Sequence, residues 1–173
     1  SVSDDAAEVA VTFGAPSKTF NIAGLVSSWV YIKNPELREP FFKWLEVNEF
    51  NAPTFVAMTA TEAAYRHGGQ WLNQMNDYLT ANVDAVERFF KNELPAIKPV
   101  RPDASFLIWL DCRELSLSHD RLISLFIDDA KLALNDGAMF GSEGDGYMRL
   151  NIGEPRVAIM EALARLKDAV DKL

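Results

Sequence analysis

The sequence predicts an α/β chain that closes in a small α+β domain, with helices packed on a short sheet. Three observations carry this. Short apolar runs rich in β-branched and aromatic residues alternate with longer segments at helical spacing. One of those segments, Leu72 to Phe90, keeps its period for longer than any other. From Ala104 onward the order is strand, helix, glycine-rich loop, strand, helix, which suits helices layered on a sheet. With 173 residues and a mean hydropathy near zero, the chain can bury a real core without disulfide or metal support.

Taken in order, Val9-Ala10-Val11-Thr12-Phe13 reads as a buried strand, stopped by Gly14-Ala15-Pro16. Leu25 to Ile32 is apolar and β-prone and reads as a second strand. Asn34-Pro35 is a helix start, with asparagine capping and proline at the first helical position. Leu37, Phe41, Trp44 and Leu45 continue that helix, and Pro40 is expected to interrupt it. Pro53 opens an alanine-rich helix through Tyr65, and Gly68-Gly69 look like a left-handed cap that closes it.

Leu72, Met75, Leu79, Val83, Val86 and Phe90 then define one helix that stops at Pro95. About 25 residues at ~1.5 Å each make it roughly 37 Å long, enough to join two domains. Lys98 to Asp103 reads as turn, and Ser105 to Leu110 as a buried strand. Leu122, Ile123, Phe126 and Ile127 mark a helix that begins after Ser118 or Asp120. Gly137 to Gly146 is a glycine-rich loop, Tyr147 to Ile152 alternates as a strand, and Pro155 begins a last helix with Val157, Met160, Leu163, Leu166 and Val170 on one face.

The formal charge of -8 argues against nucleic acid and anionic membrane surfaces as partners, because both reward a basic face. A single cysteine, Cys112, excludes an internal disulfide. Neither a charged-then-apolar leader nor a long apolar span is visible, so cytoplasm is the default location. Two histidines without a cysteine or carboxylate cluster at ligand spacing point to no metal site. The glycine-rich loop lacks a Gly-Lys-Ser/Thr ending and is not a nucleotide phosphate loop; it is better placed to shape the approach to Arg149.

Lys18 stands just past the carboxyl end of the first predicted strand, the position where open α/β sheets bind ligands. Most lysines are solvated surface charges. Here the flanking residues say more: Ser17-Lys18-Thr19-Phe20-Asn21-Ile22-Ala23-Gly24-Leu25 resembles the cofactor-lysine segment of pyridoxal-phosphate enzymes of the aspartate aminotransferase fold type, within the class I/II aminotransferase superfamily. Its closest match is their PatB/MalY-type cystathionine β-lyase branch. The resemblance implies that Lys18 carries pyridoxal 5'-phosphate as a Schiff base and, once freed by substrate, removes the α-proton. It also implies that Ser17 or Thr19, Ser17 foremost, bonds the cofactor phosphate; the competing reading is a serine-threonine turn in which the hydroxyls satisfy nearby backbone. Many enzymes of this fold type have a serine three residues before the lysine and an arginine eight after it. This chain has Ala15 and Val26, which points away from the aspartate aminotransferase branch itself.

Met148-Arg149-Leu150-Asn151-Ile152-Gly153 resembles the family segment whose arginine grips the substrate's α-carboxylate. A guanidinium presents a planar pair of donors that matches a carboxylate. The bland alternative pairs Arg149 with Glu143, Asp145 or Glu154 on a surface strand.

The resemblance implies the C-terminal part of a larger enzyme. Residues 1–70 would be the tail of the large cofactor-binding domain, 71–95 the connecting helix, and 96–173 the small C-terminal domain. The activity implied is a carbon-sulfur β-lyase acting on an amino-acid substrate, cystathionine or a cysteine conjugate, and giving pyruvate, ammonia and a thiol. The alternatives are a class I/II aminotransferase or, from another class, a non-catalytic structural or dimerisation domain. A homodimer is implied for the full-length enzyme, with this chain inactive by itself.

Overall fold

A computed structural model describes residues 2–173. The chain divides into two compact units, one extending through Gln74 and one running from Met75 to Leu173.

In the first unit, Ser3 caps helix α1 (Asp4–Val9) by accepting from the Ala6 amide, and Asp4 and Asp5 favour the positive end of its dipole. Val9 therefore ends a helix, where the apolar run suggests a strand. Strand β1 (Val11–Gly14) follows and pairs antiparallel with β2 (Trp29–Ile32). The strand is not buried as expected, and Phe13 is 66% exposed. A two-stranded ribbon cannot enclose both of its own faces. β2 is also shorter than its apolar run. Ala23–Leu25 forms a 3₁₀ turn and Val26 has a left-handed backbone (φ 49°), which breaks the extended run before Trp29.

Helix α2 (Pro35–Val47) begins as its sequence signal indicates, with Asn34 Oδ1 accepting from the Glu36 amide at 2.9 Å. The expected interruption at Pro40 is absent, and the helix runs through it. Proline there removes one bond to the Glu36 carbonyl in the second turn. The turn is held independently by Arg38, which donates to the Ile32 and Lys33 carbonyls, and by Phe41 packing on Phe13. Thr54 caps α3 (Phe55–His67). Gly68 after it is not left-handed (φ -80°, ψ -1°), and Gly69 already starts the next helix. Gly68 is required for space: a Cβ there would strike the Phe20 ring and the Ala64 carbonyl.

Helix α4 (Gly69–Glu93) is the long helix that the periodicity predicts, 25 residues, and the division between the units falls inside it. In the second unit a four-stranded antiparallel sheet has the order β3-β4-β6-β5: β3 (Lys98–Val100), β4 (Leu107–Asp111), β5 (Asn135–Asp136) and β6 (Tyr147–Asn151). β3 lies where the sequence suggests turn, because Pro99 argues against a strand; an edge position tolerates a residue with no N–H to give. Helix α5 (His119–Ser124) is capped by Ser118 and continues into a π-helical turn, Leu125–Asp129. The glycine-rich loop folds into two 3₁₀ turns, Gly137–Phe140 and Ser142–Gly144. Pro155 stands just before α6 (Arg156–Val170), at its N-cap position, and makes no side-chain capping bond.

The two-residue alternation of β4 and β6 sorts the sheet's faces. Ile108, Leu110, Met148 and Leu150 point into a core completed by Val86 and Phe90 of α4, Leu125 and Phe126 after α5, and Leu163 and Leu166 of α6. Trp109, Asp111, Tyr147 and Arg149 occupy the opposite face. Asn82 of α4, 1% exposed, donates to the carbonyls of Ile152 and Glu154 and accepts from Arg156 Nε, so the connection after β6 is tied to the long helix.

Candidate active site

The segment around Lys18 is a turn four residues past β1. The Phe20 amide donates to the Pro16 carbonyl (2.9 Å) and the Ile22 amide to the Ser17 carbonyl (3.0 Å), which winds Ser17 to Asn21 into a compact loop. Phe20 anchors it. Its ring packs edge-on against Tyr65 of α3 (5.8 Å) and stacks on Trp71 in the first turn of α4 (6.2 Å), over the gap left by Gly68. Tyr65 in turn accepts from Trp29 Nε1 at 3.1 Å. With Pro16 and Phe20 holding the ends, Lys18 and Thr19 are exposed and Ser17 is half-buried. Among the described residues, no carboxylate pairs with the Lys18 ammonium, and neither the Ser17 nor the Thr19 hydroxyl makes a side-chain hydrogen bond. The serine-threonine turn in which those hydroxyls satisfy backbone is therefore not what forms. An amine flanked by two uncommitted hydroxyls is a donor set that fits an aldehyde carrying a phosphate.

Arg149 lies in the second unit, on the outer face of β6. It is opposite Trp109 of β4 on one side and Asn135 of β5 on the other. Nη2 donates to Asn135 Oδ1 at 2.9 Å, and the guanidinium carbon sits 4.4 Å from the centre of the Phe140 ring. Phe140 packs edge-on against Trp109 (5.4 Å), so the aromatic face under the arginine is itself supported. Among the described residues, no ion pair ties Arg149 to Glu143, Asp145 or Glu154, and its Nε is buried with no hydrogen-bond partner. A buried charge-bearing donor without an acceptor is costly, and an incoming carboxylate would relieve it. Ser17, Lys18 and Thr19 share one turn, and Arg149 shares its sheet face with Asn135, Phe140 and Trp109.

Beside this group, Asp111 accepts from Arg113 Nε (2.9 Å), Nη2 (2.7 Å) and backbone N–H (3.1 Å). The Arg113 side-chain hydrogen bonds hold the Asp111 carboxyl down at about 2. Arg113 also lies over the Tyr147 ring, 4.9 Å from its centre. Cys112 is buried, and burial pushes its thiol up to about 12, which makes it an inert core residue. Sequence reasoning missed Asn135, Phe140 and Trp109. The odd positions of β4 were the available signal for Trp109; nothing local marks Asn135.

No family model matches the chain. It is 41% identical to cystathionine beta-lyase PatB of Bacillus subtilis over 170 residues, covering 98% of this chain and 44% of PatB. This chain is a homologue of PatB. Protein MalY of Escherichia coli is 32% identical over 155 residues, covering 89% of this chain and 40% of MalY. The crystal structure of a PLP-bound putative aminotransferase from Clostridium difficile 630 superposes with a TM-score of 0.95 at 35% identity, covering 98% of this chain and 44% of that one. The chain thus spans less than half the length of the PatB and MalY proteins. It has the fold of the C-terminal part of the PLP-dependent transferases. Among the described residues, no helix is long and apolar enough to cross a membrane.

Proposed function

We propose that this chain is the C-terminal part of a cytoplasmic, homodimeric pyridoxal-phosphate enzyme. That enzyme cleaves the carbon-sulfur bond of cystathionine or a cysteine conjugate, giving pyruvate, ammonia and a thiol. Residues 1–70 would complete the cofactor-binding domain, 71–95 would connect it, and 96–173 would form the small domain. The observation that carries amino-acid binding is Arg149, whose guanidinium is fixed by Asn135 and Phe140 while its Nε lacks an acceptor. The likeness to PatB supports this reaction.

When bound, the cofactor supplies an electron sink for the charge left at the α-carbon. Arg149 would take the α-carboxylate and so fix the orientation of the substrate about its α-carbon. Lys18 would hold the cofactor, and its Nζ would accept the α-proton. Ser17 and Thr19 offer hydroxyls to the phosphate. A second reading, aminotransfer, is favoured by the putative aminotransferase at a TM-score of 0.95, since both reactions need the same lysine and arginine.

In the full-length, cofactor-loaded enzyme, Arg149→Lys should raise KM for cystathionine by roughly ten- to a hundredfold, about 1.4–2.7 kcal/mol of lost substrate binding. Lys18→Ala should abolish pyruvate formation. Unchanged amino-acid affinity in the Arg149 variant would sink the assignment. Turnover of cystathionine that depends strictly on an added keto acid and releases no pyruvate would move the reading to transamination, and failure of the full-length protein to retain cofactor would leave a non-catalytic structural unit.

A further inference from the structure

The segment from Asp136 to Gly146 is a pinched loop with Phe140 at its head. At its neck Gly137 and Gly144 meet backbone to backbone: a Cβ on either would fall on the other's carbonyl. Asp136 caps the first 3₁₀ turn by accepting from the Ala138 amide at 3.0 Å, and the Gly146 carbonyl accepts from the Cys112 amide at 3.0 Å. Across the neck lies His119, the first residue of α5. Its Nε2 is 3.4 Å from Asp136 Oδ2 and its Nδ1 is 3.6 Å from Asp145 Oδ1. The imidazole therefore bridges the two ends of the loop.

That arrangement has a protonation requirement. A neutral imidazole carries one N–H, so a carboxylate on each ring nitrogen leaves one oxygen facing a lone pair. Only the imidazolium is attracted to both, and at these distances the attraction is between charges. The other charged groups nearby are occupied. Arg113, beside His119, is held by Asp111; Arg121 on α5 pairs with Asp129 at 2.7 Å; Asp120 is the helix's own first-turn acid; Cys112 is buried and held as the thiol.

We propose that His119 is a positioning residue: its protonated ring clasps the neck of the Asp136–Gly146 loop and so holds Phe140 under the Arg149 guanidinium. Histidine is the side chain whose charge ordinarily changes between about pH 5 and 8, so carboxylate binding at Arg149 becomes pH-dependent through a residue that touches no substrate. The link to binding rests on the proposed role of Arg149; the clasp itself does not.

The test is an NMR titration of the isotope-labelled 173-residue chain without cofactor or substrate. It follows the His119 ring, the Phe140 amide and the Arg149 Nε–H. The three signals should share one midpoint. In His119→Gln the Phe140 and Arg149 shifts should lose that midpoint, and at pH 6 the Arg149 Nε–H should exchange several-fold faster. Asp145→Asn, which leaves one carboxylate and lets a neutral ring satisfy it, should keep the fold and shrink the coupled shift at least twofold. Constant Phe140 and Arg149 signals while His119 titrates, or the same midpoint in His119→Gln, would overturn the proposal. If His119→Gln does not fold, an undiminished coupled shift in Asp145→Asn overturns it. Should the coupling be present while Arg149→Lys leaves amino-acid affinity unchanged, the carboxylate assignment fails and the clasp stands.

Discussion

Asn82 is the one buried polar side chain among the described residues; two of its three hydrogen bonds run to the connection that follows β6 and the third to Arg156 at the start of α6. Removing it strands two carbonyls and an arginine Nε. Asn82→Ala should therefore destabilise the second unit by roughly 2 kcal/mol in urea unfolding, well above the effect expected of a surface asparagine. Asp111 gives a pH test. Its folded value, about 2, lies below the 3.8 of a free carboxyl, so its stabilisation is complete above about pH 4 and is lost as pH falls toward 2. Acid unfolding of Asp111→Asn should lack that step. Neither residue stands out in the sequence, although Asn82 leaves a signal there. Asn82 falls three residues after Leu79 on the apolar face of a periodic helix, where a polar residue must find partners. Lys18 and Arg149 stood out because their flanking segments are distinctive. Asn135 and Phe140 did not, since they reach Arg149 only through a loop whose path depends on the Gly137–Gly144 contact.

At the scale of elements, two starts were readable: Asn34 and Ser118, the latter weighed against Asp120, each accept from an amide two or three residues on. The start of α3 was not, since Thr54 caps it where Pro53 was expected to open it. Breakers misled. Pro40 lies within α2, Gly68 is chosen for the Phe20 ring, and Pro99 sits in a strand, so each was kept by tertiary context that a local reading does not contain. Because α2 runs through Pro40, Pro40→Ala restores one helical bond without moving the backbone. It should raise stability by about 1–3 kcal/mol, read as a higher midpoint of the helical circular-dichroism signal on heating. An unchanged or lower midpoint would mean that the proline ring packs usefully where it stands.

For the whole molecule, the two units differ in how much they bury. The second has a continuous core of twenty buried residues from Val83 to Ala169. In the first, Pro16, Ile32 and Ala57 are the buried apolar side chains among the described residues, while Phe13, Phe50 and Phe55 are more than 60% exposed. Apolar burial sets local opening free energies. Amides of β4, β6 and the second half of α4 should accordingly exchange with solvent at least a hundredfold more slowly than those of β1, β2 and α2. Equal protection would show that the first unit draws stability from a source other than its own packing.

The sheet of the second unit ends on one side in a three-residue strand with Pro99 at its centre and on the other in the two-residue strand Asn135–Asp136. Neither border offers a foreign strand a run of free amides and carbonyls to template on. A unit so bordered resists joining its copies into extended ribbons, even when crowded. Whatever self-association the chain shows on storage should start from the exposed aromatics of its first unit rather than from this sheet.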